Sequence, residues 1–364
     1  MPFTSLTPGE DRSAVREAIE RVIARGWFVL GPEVERFETE FAAIAGASYA
    51  IGVGNGTDAL MLILRALGIG AGDEVITTPL SAAYTALAIT MAGARPVFAD
   101  IDPDRFTIDP ARLEVVVGPR TGAIMPVHLY GQAADMEAIS HFAARHNLVI
   151  VEDCCQAHLA TAAGRPVGTI GVAGAFSFYP TKNLAALGDG GAIVTNDRML
   201  ADRIRRLRNG GQIDRDRHQE PGVNSRLDEM QAAILVARLP FLRRWTERRR
   251  ELAARYRAEL AGAEAIAAPI ECDRGHVYHL FVVKTRERDR LQARLAATGI
   301  ETLVHYRIPI PRQQAFATVG GAECPIAAAV CDRILSLPLH PRLTDHLAAD
   351  VAAAVLKGVA TCAH

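Results

Sequence analysis

Apolar and polar positions along the chain fall into two alternating patterns. Short uninterrupted apolar runs at 49–53, 74–78, 96–100, 123–127, 148–152, 175–179 and 192–196 read as strands buried on both faces. Between and before them, apolar residues return every three to four positions, which is the helical period. Val15, Ile19, Val22 and Ile23 mark a helix over 12–25 that ends at Gly26, and Val34, Phe37, Phe41 and Ile44 mark the next. Further helices are predicted from about Thr57, across 82–92 and across 136–146. Strands with helices between them predict an α/β fold with a mostly parallel sheet covered on both faces.

The pattern changes after about residue 239. An arginine-rich helix is expected over 243–260, an alternating strand over 276–284, a helix over 288–297, a strand over 301–306 and two closing helices. The chain therefore divides into a large domain, 1–240, and a smaller α+β domain, 241–364.

Composition narrows the class. The 364 residues carry a net charge of −1, and 49% are hydrophobic, as in an ordinary globular protein. Arginines cluster at 203–208 and 243–250, yet without a basic excess these read as solvated helix faces, and no nucleic-acid partner is expected. No apolar run is long enough to cross a bilayer, and the N-terminal stretch lacks a basic segment followed by an apolar one. Cysteines stand at 154, 155, 272, 324, 331 and 362, without CxxC pairs or zinc spacing, which predicts reduced thiols, no metal and a cytoplasmic location.

One position stands out chemically. Three of the 40 basic residues are lysines (182, 284 and 357), leaving 37 arginines. Lys182 lies in a short polar turn between the runs at 175–179 and 192–196. Unlike arginine, lysine can lose its proton and bond an aldehyde as an imine. A surface lysine is the bland alternative. Four further features lie at strand ends, where open α/β sheets bind ligands. GVGNGTDAL brings Gly56 and Thr57 to a helix start able to hold a phosphate, although a tight turn explains it equally well. VIVEDCCQAH places Asp153 at the end of a buried run, as a helix cap or as the partner of a pyridinium nitrogen. Ser177 could join the phosphate site or bond its own backbone. Tyr84, in PLSAAYTALAITMAG, could stack on a flat ring or belong to the core. A phosphate cradle, a carboxylate and a lysine on strand ends together suggest pyridoxal 5′-phosphate.

At this point the chain resembles the DegT/DnrJ/EryC1/StrS family of aminotransferases. The matching stretches are GPEVERFETEFA, GNGTDAL, GDEVITTP, VHLYGQAADM, EDCCQAH, SFYPTKNLAALGDGGAIVTND and NSRLDEMQAAIL, with HYRIPIPRQQ and SLPLHPRLT extending the likeness into the small domain. The resemblance implies the type I fold of pyridoxal-phosphate enzymes. It assigns Lys182 to the cofactor aldehyde, Asp153 to its ring nitrogen and Gln156 to its hydroxyl side. Ser177, Gly56 and Thr57 would take its phosphate, and Tyr84 would stack on the ring. It also implies a homodimer in which Asn224, with Arg226 close behind, reaches the partner's phosphate site. Two departures are visible: the stretch from the proline of GDEVITTP to the aromatic Tyr84 is one residue shorter than usual, and in HYRIPIP Arg307 stands where proline is usual and Pro311 where histidine is usual.

By the same resemblance, the expected reaction moves an amino group from an amino acid, glutamate first, to a nucleotide-linked keto-deoxy sugar at C3 or C4. A cyclitol ketone is the alternative acceptor. A regulatory protein that keeps the fold without turnover is a second alternative, against which Lys182, Asp153, Gln156 and Ser177 all stand. A nicotinamide oxidoreductase is disfavoured because Thr57 occupies the third glycine position of the dinucleotide fingerprint. Trp27, Phe28, Tyr130, His158, His305 and Tyr306 are candidates to line the substrate pocket.

Overall fold

The computed structural model describes residues 1–317 and 323–360, so Cys362 lies outside the described residues. Seven strands form one sheet: β1 (Tyr49–Val53), β2 (Glu74–Thr77), β3 (Arg95–Phe98), β4 (Thr121–Met125), β5 (Val149–Asp153), β6 (Ala173–Ser177) and β7 (Gly191–Thr195). Their spatial order is β1-β7-β6-β5-β4-β2-β3. All run parallel except β7, which pairs antiparallel with both β1 and β6.

The apolar runs have a direct cause. Ala50, Ile76, Ile124, Ile150, Ala192 and Val194 enter the core on one face of the sheet. Ile51, Val75, Ala123, Val151 and Ile193 enter the core on the other. Alternate side chains on a strand point to opposite faces, so a strand buried on both sides has no polar positions to spare. On the first face Phe41 meets Phe176 and Phe178 edge-on at 5.2 Å, and Phe37 meets Phe178 at 5.3 Å. Phe178 also clasps the turn that follows β6: its N–H donates to Gly190 O at 2.8 Å, and its carbonyl accepts from Ala186 N at 2.7 Å. Removing that ring would cost about 3–5 kcal/mol and would loosen the loop carrying Lys182.

Helices α1 (Arg12–Arg25), α2 (Pro32–Ala45), α3 (Gly56–Ala66), α4 (Tyr84–Met91) and α5 (Met136–His146) fall where the periodicity places them. The helix expected over 243–260 begins much earlier and forms α6 (Glu229–Glu259), with Pro240 inside it. Proline lacks an N–H and usually ends a helix. Here Leu235, Leu239 and Leu242 bury against the large core while Leu252 and Tyr256 bury in the small one, and packing on both sides carries the helix through.

In the small domain β8 (Phe281–Lys284) pairs antiparallel with β9 (Ile334–Leu337), a strand that the sequence reading missed. Helix α7 (Arg288–Ala297) and helices over Pro325–Cys331 and Asp345–Ala360 complete it. Two strand expectations shorten. Residues 276–280 leave the ladder because Val277 N and Leu280 N donate to Gly131 O and Tyr130 O of the large domain. The 301–306 strand reduces to one bridge, Leu303 to Ser336. Among the described residues, no helix is long and apolar enough to cross a membrane.

Candidate active site

Parallel pairing puts the ends of β5 and β6 side by side, with Asp153 opposite Ala175 and Ser177 two residues further. The antiparallel partner β7 begins at Gly191, opposite Ser177. A Cβ on Gly191 would meet Asn55 C and O at 2.4 Å, so only glycine lets the strand pass the start of α3. Gly56 is equally constrained: its Cβ would lie 2.6 Å from Cys155 Sγ and 3.0 Å from Ser177 Cβ. The N-terminus of α3 is therefore pressed against the ends of β5 and β6.

At that terminus Asn55 Oδ1 accepts from Asp58 N at 2.8 Å and Asn55 O from Ala59 N at 3.1 Å. Among the described residues, the N–H groups of Gly56 and Thr57 have no protein partner. They point a positive helix end at the strand ends. Ser177 Oγ accepts only a long bond, 3.3 Å, from Tyr179 N, and remains able to donate.

Asp153 is 5% exposed. Its Oδ2 accepts from Thr85 Oγ1 at 2.7 Å and its Oδ1 from Cys155 N at 3.1 Å. It forms no ion pair among the described residues, so this buried carboxylate keeps accepting capacity for a cationic partner. Thr85 is a contributor that nothing in its sequence context announced. It sits in the first turn of α4, directly after Tyr84. Tyr84 is 63% exposed, which removes the core alternative for its ring.

Lys182 is half-buried in the turn after β6, with its N–H donating to Tyr179 O at 2.8 Å. Burial lowers the pKa of its amine below the ordinary lysine range, while Cys155 and Asp153 pull in the opposite direction. Burial also pushes the Cys155 thiol well up, helped by Asp153 and opposed by Lys182. The surrounding imidazoles stay neutral at neutral pH: His305 is lowered to about 4 and His158 to about 3, by burial first and Lys182 second.

Gln156 joins the site to the small domain. Its Oε1 accepts from Tyr130 N at 2.9 Å, and its Nε2 donates to Tyr306 Oη at 3.1 Å. Tyr130 Oη in turn donates to His305 O. Of the pocket candidates, Tyr130, His305 and Tyr306 therefore gather around Gln156. His158 instead lies between Phe176 and Phe178 in the core, and Trp27 and Phe28 lie on the surface, about half exposed. Arg307 turns away, its guanidinium bonding Asp289 and Gln292 of α7. Asn224 is exposed, on a segment fixed by the bond from Gly54 N to Ser225 Oγ and by that from Ser225 Oγ to Asp58.

These residues fit pyridoxal phosphate. Unpaired N–H groups and a hydroxyl meet at a space that one Cβ would fill, and a buried carboxylate and a lysine whose pKa burial lowers stand beside it. Site and fold together define a pyridoxal-phosphate-dependent aminotransferase of fold type I.

The profile of the DegT/DnrJ/EryC1/StrS aminotransferase family matches residues 10–356, and the chain belongs to that family. It is 47% identical, over 94% of its length and 92% of the relative's, to the dTDP-3-amino-3,4,6-trideoxy-alpha-D-glucose transaminase of Streptomyces venezuelae. It is likewise 47% identical, over 91% and 90%, to a "pleiotropic regulatory protein" of Geobacillus stearothermophilus. Among solved structures, S. venezuelae DesV in complex with a ketimine intermediate superposes with a TM-score of 0.95 at 46% identity, covering 98% of this chain and 97% of that one.

Proposed function

We propose that this aminotransferase moves an amino group from glutamate to C3 or C4 of a keto-deoxy sugar carried on a nucleotide, dTDP in the first instance. The observation that carries the reading is the convergence of Lys182, Asp153 and the open start of α3 on adjoining strand ends. The name of the S. venezuelae relative supports a dTDP-linked acceptor.

When bound, the cofactor supplies an electron sink for the carbanion. Asp153 keeps a proton on its ring nitrogen by ion pairing, and Thr85 holds that carboxylate in place. Gly56, Thr57 and Ser177 would hold the phosphate, Gln156 would serve the ring hydroxyl, and Tyr84 would stack on the ring. Lys182 Nζ, its pKa lowered by burial, would accept and give back the proton of the donor's Cα. Donor and acceptor use one site in turn, so ping-pong kinetics follow. A second copy of the chain completes the site, with exposed Asn224 reaching the partner's phosphate site and Arg226 behind it. The catalytic strand ends belong to the 1–240 domain, residues 241–364 closing over them, and the enzyme works in the cytoplasm.

The name of the Geobacillus relative raises a regulatory reading. One experiment separates the two. The purified protein should be yellow, bleach on adding glutamate, and regain its band with a dTDP-linked 3-keto-6-deoxy sugar. Lys182→Ala should lose about 10⁴-fold in turnover. A protein that stays colourless after incubation with pyridoxal phosphate would leave regulation as its role. Return of the band with a cyclitol ketone but no sugar would move the acceptor.

A further inference from the structure

The turn that carries Lys182 joins β6 to β7, and its base and tip are held in different ways. At the base, Phe178 N donates to Gly190 O and Ala186 N to Phe178 O. Arg238, paired with Asp11, donates to Ala185 O. At the tip, Asn183 is the one buried polar side chain among residues 180–186, 5% exposed. Its Nδ2 donates to Val277 O at 3.2 Å, and its Oδ1 lies 3.2 Å from His279 Nδ1. A carbonyl can only accept, so Val277 O keeps the amide nitrogen on its own side and turns the amide oxygen to His279. His279 Nδ1 therefore carries the ring proton and donates it.

What Asn183 grips is itself firmly held. Residues 277–280 are all buried, and Val277 N and Leu280 N donate to Gly131 O and Tyr130 O. From behind, Arg249 Nη1 donates to Tyr278 O, His279 O and Leu339 O. A Cβ on Gly131 would meet His279 N at 2.8 Å, so the 129–131 turn lies directly against this segment. The same turn gives Tyr130 N to Gln156 Oε1. The apolar stretch that leaves the β8 ladder thus touches both sides of the site, Asn183 beside Lys182 and the turn that holds Gln156. Asp153 and Cys155 face Lys182 from the end of β5, His158 from just beyond it, and His279 and His305 from the small domain. Burial lowers the pKa of the last two below the ordinary histidine value, so they cover the amine as neutral rings.

We propose that Asn183 is a positioning residue for Lys182: through Val277 O and His279 Nδ1 it fastens the tip of the turn to the small domain and keeps the amine covered. The inference rests on the reading of Lys182 as the reactive amine of an aminotransferase. It adds that the second domain governs that amine through the residue beside it.

With three lysines in the chain, the test can be read on the cofactor-free protein. Competitive acetylation over a pH series, scored by mass spectrometry against Lys284 and Lys357, gives the titration midpoint of Lys182. Asn183→Ala lets water reach the amine and relieves the burial that lowers its pKa, so the midpoint should rise by about half a pH unit or more. In the cofactor-loaded enzyme the acid limb of kcat should move up with it. There kcat should fall about tenfold or more while the KM for glutamate stays within about twofold. His279→Phe should reproduce the shift, and the double variant should add little to either single one, because both remove the same bond. His279→Asn offers an amide N–H near the place of Nδ1 and should recover much of the loss. Wild-type midpoints in Asn183→Ala and His279→Phe, even with a lowered melting temperature, would overturn the assignment and leave Asn183 to domain packing alone. A shifted midpoint in the variants, beside a wild type that glutamate does not convert, would instead mark failure of the aminotransferase reading.

Discussion

Two helices of the large domain begin in the same way and end up with opposite jobs. Helix α2 starts after Gly31, and the carboxylate of Glu229, almost 200 residues away, accepts from Gly31 N at 2.9 Å, Glu33 N at 3.0 Å and Val34 N at 2.8 Å. Helix α3 starts at Gly56, and the protein itself caps only Asp58 and Ala59 there. An anion satisfies the start of α2 from within. At α3, glycines clear a similar space beside a lysine and a buried carboxylate, and the protein brings no anion of its own. The closed start shows what the open one is shaped to accept.

The sharpest way to break this comparison is to open the closed end. Glu229→Ala removes three charge-assisted hydrogen bonds and leaves buried N–H groups unpaired. Each such bond contributes roughly 1.5–3 kcal/mol, not fully additively, so a loss of about 4 kcal/mol is expected. Trp27 packs near Gly31 and offers a local fluorescent reporter of the denaturant midpoint. An unchanged midpoint would mean that Glu229 does not satisfy α2, and the parallel with α3 would fall.

The converse is to fill the open end. Gly56→Ala puts a methyl 2.6 Å from Cys155 Sγ. Cofactor affinity should drop roughly 10- to 100-fold, about 1.4–2.7 kcal/mol, as followed by spectral titration. The double variant Gly56→Ala with Cys155→Ala should recover part of it, because the thiol is the nearest obstruction. Loss that persists undiminished in the double variant would place the clash elsewhere.

The two helix starts also differ in how far the sequence reveals them. Gly56, Thr57, Asp153 and Ser177 stand at the ends of apolar runs or in glycine turns, and Lys182 is marked by the scarcity of lysine. Such signals are local, and strands buried on both faces make them plain. Glu229 is invisible from sequence because its partners lie almost 200 residues away. Thr85 reaches Asp153 across 68 residues and reads as an ordinary helical threonine. Arg249 is one of many arginines until the fold buries it against the carbonyls of Tyr278, His279 and Leu339. The small domain was harder to read for the same reason. Whether 276–280 forms a strand depends on carbonyls of Tyr130 and Gly131, and whether a helix survives Pro240 depends on two cores at once.

The smallest expected effect falls on the hydroxyl rather than the helix. Ser177 lies at the open end, but its Oγ makes one long bond to Tyr179 N within the protein. Removing it should therefore cost the fold less than about 1 kcal/mol, since the bond is long and Tyr179 is an exposed residue. Its worth to a phosphate is that of one charge-assisted hydrogen bond shared among several, about 1.5 kcal/mol at the low end of the usual range, or roughly tenfold in cofactor affinity. Ser177→Ala should thus weaken the cofactor less than Gly56→Ala does, and cysteine at that position should not restore it, because a thiol is a weak donor. The reverse ranking, with Ser177→Ala the more damaging, would put the anchoring charge at the strand end and make the start of α3 a turn that merely passes by.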